Sequence, residues 1–379
     1  MIDADTHLLE GRTMWTDHLP AGRKDLALRI VDDELGYAWL TAPDGRRIHL
    51  AEAQAPGDVP AMGAYRARQR RGEPAPATFE EAVAAHDIDP TARVALLDQQ
   101  GIDEAVVFPN FGLFWVRALE HQPATQLANM EAWNRWAVEG LRPAGAGRLR
   151  PVGHVSLRDP DWLEGQLAGL AEGGIEAAMV PIGPVDGRPF SHPELDRCWS
   201  AFERSGISVI FHISDGARPF DDAWYQGDAN AVEPLLMSLS ISLTPMLALQ
   251  DLSVGGVLDR HPELRVGLVE FTSSWFAQFL PGLDASYGFH AAYNGLTTDR
   301  LALAPSDYLR RQVRIATFGF ERPARLTAAV GDLFMFGSDY PHAEGLARPL
   351  EDFQAAGGPS VDDTTEGLYR GNVEWLLGR

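Results

Sequence analysis

Eight short apolar runs, each followed by a longer stretch, constrain this chain more than any other feature. They are Ile2 to His7, Asp103 to Pro109, Leu149 to Leu157, Ala177 to Ile182, Ile207 to Ser214, Leu264 to Phe271, Val313 to Phe318 and Leu333 to Asp339. The runs are largely apolar on both faces, the pattern of parallel strands covered by helices. The stretches between them read as helices. Ala124 to Leu141 carries Leu127, Met130, Trp133, Trp136 and Ala137 at near-helical spacing. His192-Pro193-Glu194 opens a helix that stops at Gly206, and Arg322-Pro323 opens another that ends near Gly331. Eight such alternations predict an α/β fold, a (β/α)8 TIM barrel, forming one domain over residues 1–379. A glycine-rich dinucleotide fingerprint after the first strand would have favoured an open sheet, and it is absent.

Two segments break the rhythm. Residues from about 10 to 90 form an insertion after strand one, far longer than a plain strand-to-helix connection. It holds a hairpin pattern (Tyr37 to Leu40, Asp44-Gly45, Ile48 to Leu50) and the basic stretch Arg66 to Arg71. Insertions at the C-terminal face of a barrel build substrate pockets, so this one is expected to act as a lid or subdomain, with Trp39 and Tyr65 as apolar walls. Arg46, Arg47 and Arg66 are candidate partners for a substrate carboxylate. The second break, about Gly282 to Asp307, reads as a lid or an oligomer contact.

The formal net charge is −21, from 32 basic and 53 acidic residues. Such a surface repels nucleic acid and anionic lipid, so the expected partner is a small molecule. No transmembrane pattern or secretory leader is read, and the single Cys198 cannot form an internal disulfide. Both suit the cytoplasm. Cys198, beside Trp199 and Phe202, reads as a packing residue. The expected assembly is a homo-oligomer, a dimer.

The chemistry gathers at strand ends. Asp5 and His7 alternate on the first strand, so both side chains point the same way. His212 ends strand five, Glu270 strand six and Asp339 strand eight. Imidazoles and carboxylates at the C-terminal edge of one barrel are the donor set of a divalent metal. His342, three residues beyond Asp339, reads either as an acid/base or as a loop-fixing residue. His154 reads as a buried polar filler, the alternative being a side chain pointing inward beneath the metal; His192 and His261 read as helix or turn initiators, and Asp215 as a partner of His212.

DADTH at the N-terminus, VVFPN at strand two, FHISD at strand five, GVLDRHPELRVGLVE at strand six and FGSDYPHAEG at strand eight resemble the amidohydrolase superfamily. The likeness is to its amidohydrolase-2 branch, which contains aminocarboxymuconate-semialdehyde decarboxylase and the resorcylate-type decarboxylases. It spans essentially the whole chain. The resemblance implies one divalent metal held by Asp5, His7, His212 and Asp339, with zinc the first choice and manganese the rival. The branch's usual first motif is H-x-H, whereas Asp5 stands here. Its decarboxylases end strand six with a His and two glycines, whereas this chain reads Glu270-Phe271-Thr272. Glu270 is therefore a proton carrier, a further ligand or a partner of a ligating His.

The expected activity is that of a metal-dependent hydrolase acting on a small carboxylated or aromatic substrate through a metal-activated water. Asp339 would take the proton, and Glu270 or His342 would serve the leaving group. The alternative is a non-oxidative decarboxylase, a C–C lyase, of an aromatic or enone-type acid. A reading of another class is a non-catalytic binding or assembly protein on the same barrel.

Overall fold

Each of the eight apolar runs contains a strand. The computed structural model describes residues 1–48, 71–74, 78–214, 241–294, 300–342 and 344–379. Its strands are β1 (Ile2–Leu8), β2 (Arg29–Asp32), β3 (Ala38–Thr41), β4 (Glu104–Pro109), β5 (Leu149–Pro151), β6 (Gly153–His154), β7 (Ala177–Met179), β8 (Ser208–His212), β9 (Val266–Val269), β10 (Val313–Thr317) and β11 (Phe334–Phe336). Apart from the β2–β3 pair, every ladder is parallel.

The staves follow chain order in two sheets, β1-β4-β5 and β6 through β11. They meet at two seams. One is internal to the third stave, where Val152 separates β5 from β6 and its N–H still donates to the Val107 carbonyl at 3.0 Å. There the covering helix Pro123–Trp136 supplies the missing partners. Trp133 Nε1 donates to the Val152 carbonyl at 2.8 Å, and the Asn134 amide bonds both the N–H and the carbonyl of His154. At the other seam the N–H of His7 donates to the Tyr340 carbonyl and that of Asp339 to the Asp5 carbonyl, both at 2.8 Å. A parallel bridge between Thr6 and Tyr340 joins first stave to last.

Strand alternation separates two apolar layers. Ile2, Ala4, Val106, Phe108, Val152, Met179, Ile210 and Met335 form an inner cluster, joined at the N-terminal end by Val373 and Leu376 of the last helix, Asn372–Leu376. Ala105, Val107, Val155, Val180, Val209, Phe211, Leu268 and Phe336 face outward beneath the helices. Cys198 belongs to that outer layer, and burial pushes its thiol up to about 11, so it packs as a small apolar group.

The insertion contains the expected turn at Asp44-Gly45, bounded by an antiparallel bridge between Thr41 and Arg47. The main partner of β3, however, is β2, which the sequence reading did not find because its charged residues hide the alternation. This hairpin docks on the helix Pro123–Trp136. Asn129 accepts from Leu28 N and donates to the Leu26 carbonyl, both at 2.8 Å. Arg46 donates to the Ala118 carbonyl at 2.7 Å, and Arg47 pairs with Asp33 and lies over the Trp39 ring. These two arginines are therefore engaged in holding the hairpin. Tyr65, Arg66 and most of the basic stretch lie outside the described residues, as does Asp215.

The second break is largely helical. Phe276–Tyr293 runs through Gly282, and Ser306 at the start of helix Pro305–Gln312 bonds both oxygens of Asp284. Among the described residues no helix is long and apolar enough to cross a membrane.

Candidate metal centre

Asp5 and His7 share the inward face near the end of β1, beyond a register shift between Asp3 and Thr6. His212 is the last residue of β8, Glu270 the first after β9, and Asp339 lies three residues past β11. Because the staves are parallel, all five reach the same end. Glu270 (φ 64°) and Asp339 (φ 54°) both sit in the left-handed region. A non-glycine residue held there costs about 1–3 kcal/mol, and such strain is concentrated at functional sites. Here it turns each side chain back toward the barrel axis instead of letting the strand run on.

The six side chains meet. His7 Nε2 lies 3.3 Å from Asp5 Oδ1 and 3.3 Å from Asp339 Oδ1. His212 Nε2 lies 3.3 Å from Asp5 Oδ1 and 3.6 Å from Glu270 Oε2. His342 Nδ1 is 2.7 Å from Asp339 Oδ1, and its ring stacks on that of His7 at 4.0 Å. None of the six is more than 8 % exposed, so their charges act with little solvent between them.

The far side of each imidazole defines its role. His7 Nδ1 lies 3.2 Å from the Pro109 carbonyl and His212 Nδ1 2.8 Å from the Ile213 carbonyl. A carbonyl only accepts, so Nδ1 carries a proton in both rings and Nε2 is the atom turned toward the carboxylates. His7 Nε2, Glu270 Oε2 and both Asp339 oxygens are buried and make no well-aligned hydrogen bond among the described residues, although His342 and His7 lie within ion-pair distance of Asp339. The donor set fits a divalent metal. Asp5, His7, His212 and Glu270 offer one overlapping set of four atoms, and His7, Glu270, Asp339 and His342 another.

The protonation pattern has the same cause. Burial lowers His7, but the bonds and charges of Asp339 and Asp5 outweigh it and push the imidazole up to about 10. Burial raises Asp5 and Asp339, yet His212 and His7 hold Asp5, and His342 and His7 hold Asp339, below the usual carboxylate range. Glu270 goes the other way. Burial, then the charges of Asp339, Asp5 and Glu344, push it well above its ordinary value, which favours its protonated form.

The surroundings were not legible as a site. Glu10, buried, accepts the N–H groups of Asn110, Phe111 and Gly112 at 2.8–3.1 Å, and Asn110 places its amide 2.9 Å from His342 Nε2. Glu321 accepts from Ser273, Ser274 and Phe318 N–H groups and fixes the loop that leaves Glu270. Arg93, wholly buried, donates to Thr6 Oγ1 and the His7 carbonyl at 2.8 Å, bracing the strand behind the cluster. Each reads in sequence as an ordinary surface charge. His192 accepts from Glu194 N at the start of its helix, as expected, while His261 ends the short helix Val257–Arg260.

A cavity of about 420 Å³ opens over the ends of staves three and four, lined by Val116, Arg117, Ser156, Arg158, Pro181 and Asp186 among others. None of the six cluster residues lines it.

No protein-family model matches the sequence, and no curated protein matches it. Solved structures do. An amidohydrolase of Mycobacterium avium subsp. paratuberculosis K-10 superposes with a TM-score of 0.79 at 26 % identity, over 100 % of this chain and 98 % of that one. The 5-carboxyvanillate decarboxylase LigW of Sphingomonas paucimobilis gives 0.65 at 18 %, over 100 % and 98 %. The dihydroxybenzoic acid decarboxylase of Polaromonas sp. JS666, solved with manganese and 2-nitroresorcinol, gives 0.61 at 15 %, over 100 % and 96 %. The structural neighbours are thus an amidohydrolase and decarboxylases, in keeping with the amidohydrolase-2 branch, and the shared fold is the barrel of these enzymes.

Proposed function

We propose that this chain is a metal-dependent hydrolase acting on a small carboxylated or aromatic substrate, with Asp5, His7, His212 and Asp339 as metal ligands. The observation that carries the reading is the set of buried imidazoles and carboxylates converging from four staves and one loop, four of whose polar atoms are left without a hydrogen bond. A divalent ion bound there supplies Lewis acidity and a water acidic enough to react at neutral pH. Manganese is favoured ahead of zinc, because carboxylates make up half of this ligand set and because related folds were solved with manganese.

The protein's own groups do the rest. Asp339, kept ionised by His342 and His7, accepts the proton of the attacking water. Glu270, whose protonated form is favoured by burial and by its acidic neighbours, delivers a proton to the leaving group. His342 Nδ1 holds Asp339 in one orientation, and Asn110 holds His342 from its other side.

Decarboxylation is the second reading, supported by the decarboxylases among the structural neighbours. In it Glu270 delivers its proton to the carbon that loses carbon dioxide. One experiment separates the two: manganese-loaded protein is incubated with ester, amide and aromatic-acid panels in D2O. Ring deuteration with carbon dioxide release marks decarboxylation, whereas release of a new acid marks hydrolysis. Under either chemistry His212→Ala should bind no metal, while Glu270→Gln should keep it and lose about 10²–10⁴-fold in kcat. A purified protein that takes up no divalent ion, with His212→Ala indistinguishable from wild type, would leave the non-catalytic reading.

A further inference from the structure

Among the buried nitrogen atoms outside the cluster that have no hydrogen-bond partner among the described residues, three lie side by side: Nδ1 and Nε2 of His154 and Nε1 of Trp115. They belong together. The two rings lie 5.3 Å apart, tilted by 50°, and the residues are 0 % and 1 % exposed. A buried histidine and a buried tryptophan almost always place their N–H groups on an acceptor. Here three adjacent polar atoms lack one.

His154 faces the inside of the barrel, and both rings neighbour residues that line the cavity without lining it themselves. Val152 belongs to the inner cluster and Val155 to the outer layer, so by alternation the His154 side chain faces inward. Met179, its partner in the ladder, is also an inner residue. So is Phe108, which touches the rings of both His7 and His212. Trp115 arrives on the loop after β4, and its neighbour Val116 lines the cavity together with Ser156, two residues beyond His154 on the same face. The Asn134 amide bonds the N–H and the carbonyl of His154, which fixes the backbone and leaves the imidazole uncommitted.

We infer that Trp115 and His154 form a second recognition site, in which the indole N–H and the imidazole bind a neutral oxygen substituent of the substrate, a hydroxyl or a carbonyl, and not a carboxylate. The inference rests on the reading of this barrel as an enzyme for small aromatic or carboxylated molecules, and names the part of the substrate held away from the metal. The chemistry selects the group. Indole can only donate, and an imidazole carrying one proton donates once and accepts once, which matches a hydroxyl. Burial alone pushes His154 down to about 3, with no acidic neighbour acting to raise it, so it brings no positive charge to offset a buried carboxylate.

The test uses phenol, toluene and benzoate as probes of metal-free and manganese-loaded protein. Affinities are measured by calorimetry, and the Trp115 indole resonance is identified by its loss in Trp115→Phe. Phenol should bind wild type at least about tenfold tighter than toluene, the factor that corresponds to about 1.4 kcal/mol, and should shift that resonance. His154→Leu and Trp115→Phe should each narrow the preference to within about threefold while toluene binding and metal content stay unchanged. His154→Gln, which keeps a donor and an acceptor, should recover part of it and guards against a mere packing effect. Equal binding of phenol and toluene by wild type, or a preference that survives both substitutions, overturns the inference. So does tight benzoate binding to metal-free protein that His154→Leu abolishes. A protein with the phenol preference but without metal uptake or metal-dependent turnover would sink the wider reading and leave this site standing. The converse result would sink the site alone.

Discussion

Asp3 precedes Asp5 by two residues on β1, across the register shift, and its Oδ1 accepts from Asp5 N at 3.1 Å and from Ser338 N at 2.9 Å. It therefore ties the first stave to the loop that carries Asp339. Burial, opposed by the bonds to Ser338 and Asp5, raises its carboxyl from 3.8 to about 7. The folded state thus binds this proton more tightly than the unfolded state, and the contribution of Asp3 is fully present below about pH 4. It declines as pH rises and is lost by about pH 7, a swing on the order of 4 kcal/mol. Asp3→Asn keeps an oxygen for both N–H donors but cannot ionise. In metal-free protein its stability, read by urea unfolding, should gain on wild type as pH rises from 4 to 7. Parallel curves for the two proteins across that window would show that Asp3 is ionised throughout. At this scale the sequence displayed the candidate site residues but not their supports. Asp5, His7, His212, Glu270, Asp339 and His342 stand out because a polar residue capping an apolar strand is anomalous. Asp3, Glu10, Arg93 and Glu321 sit in segments where a charge is unremarkable, and only the folded chain shows that each is buried against backbone.

The loop after β9 carries the most demanding geometry of any element, with Glu270 and Thr272 both at positive φ (64° and 56°). Glu321 holds that shape from the next stave's loop, bonding Ser273 N at 2.6 Å and Ser274 N at 2.7 Å through one oxygen, while Ser273 Oγ bonds Thr317 Oγ1 at 2.8 Å. Glu321→Ala leaves these donors without their acceptor. A loss of about 2–4 kcal/mol is expected, along with displacement of Glu270. Chemical unfolding reads the first effect; a fall in kcat with metal stoichiometry intact reads the second. Stability and kcat both at wild-type levels would mean the loop is held by packing. Elements of this barrel were legible where both faces are apolar, since a run such as Val266–Val269 has no other stable place. They were not legible in the insertion. β2 (Arg-Ile-Val-Asp) buries only Ile30, so its sequence carries one residue of signal, and its pairing with β3 is set by the turn on Asp33. The split of the third stave was equally hidden, because it depends on Trp133 and Asn134 of a covering helix and not on the strand's own residues.

For the molecule as a whole, stability and chemistry occupy opposite ends. Leu376 and Val373 close the N-terminal end of the inner core, where Leu376 packs so tightly that a Cβ built on Gly267 would lie 2.8 Å from it. Leu376→Ala should cost about 2–5 kcal/mol in unfolding free energy yet leave metal content and KM unchanged, since nothing it touches reaches the ligand end. A parallel loss of metal would mean the two ends are coupled through the core. The net charge of −21 acts on the other end, because a field of that sign opposes an anionic substrate approaching the mouth. Raising monovalent salt from about 10 mM to about 150 mM shrinks the screening length from about 30 Å to about 8 Å. The kcat/KM for an anionic aromatic acid should therefore rise severalfold over that range, while a neutral ester of the same acid should change little. A fall for the acid alone would mean that local cations such as Arg117 and Arg158 around the cavity outweigh the overall charge at the point of entry.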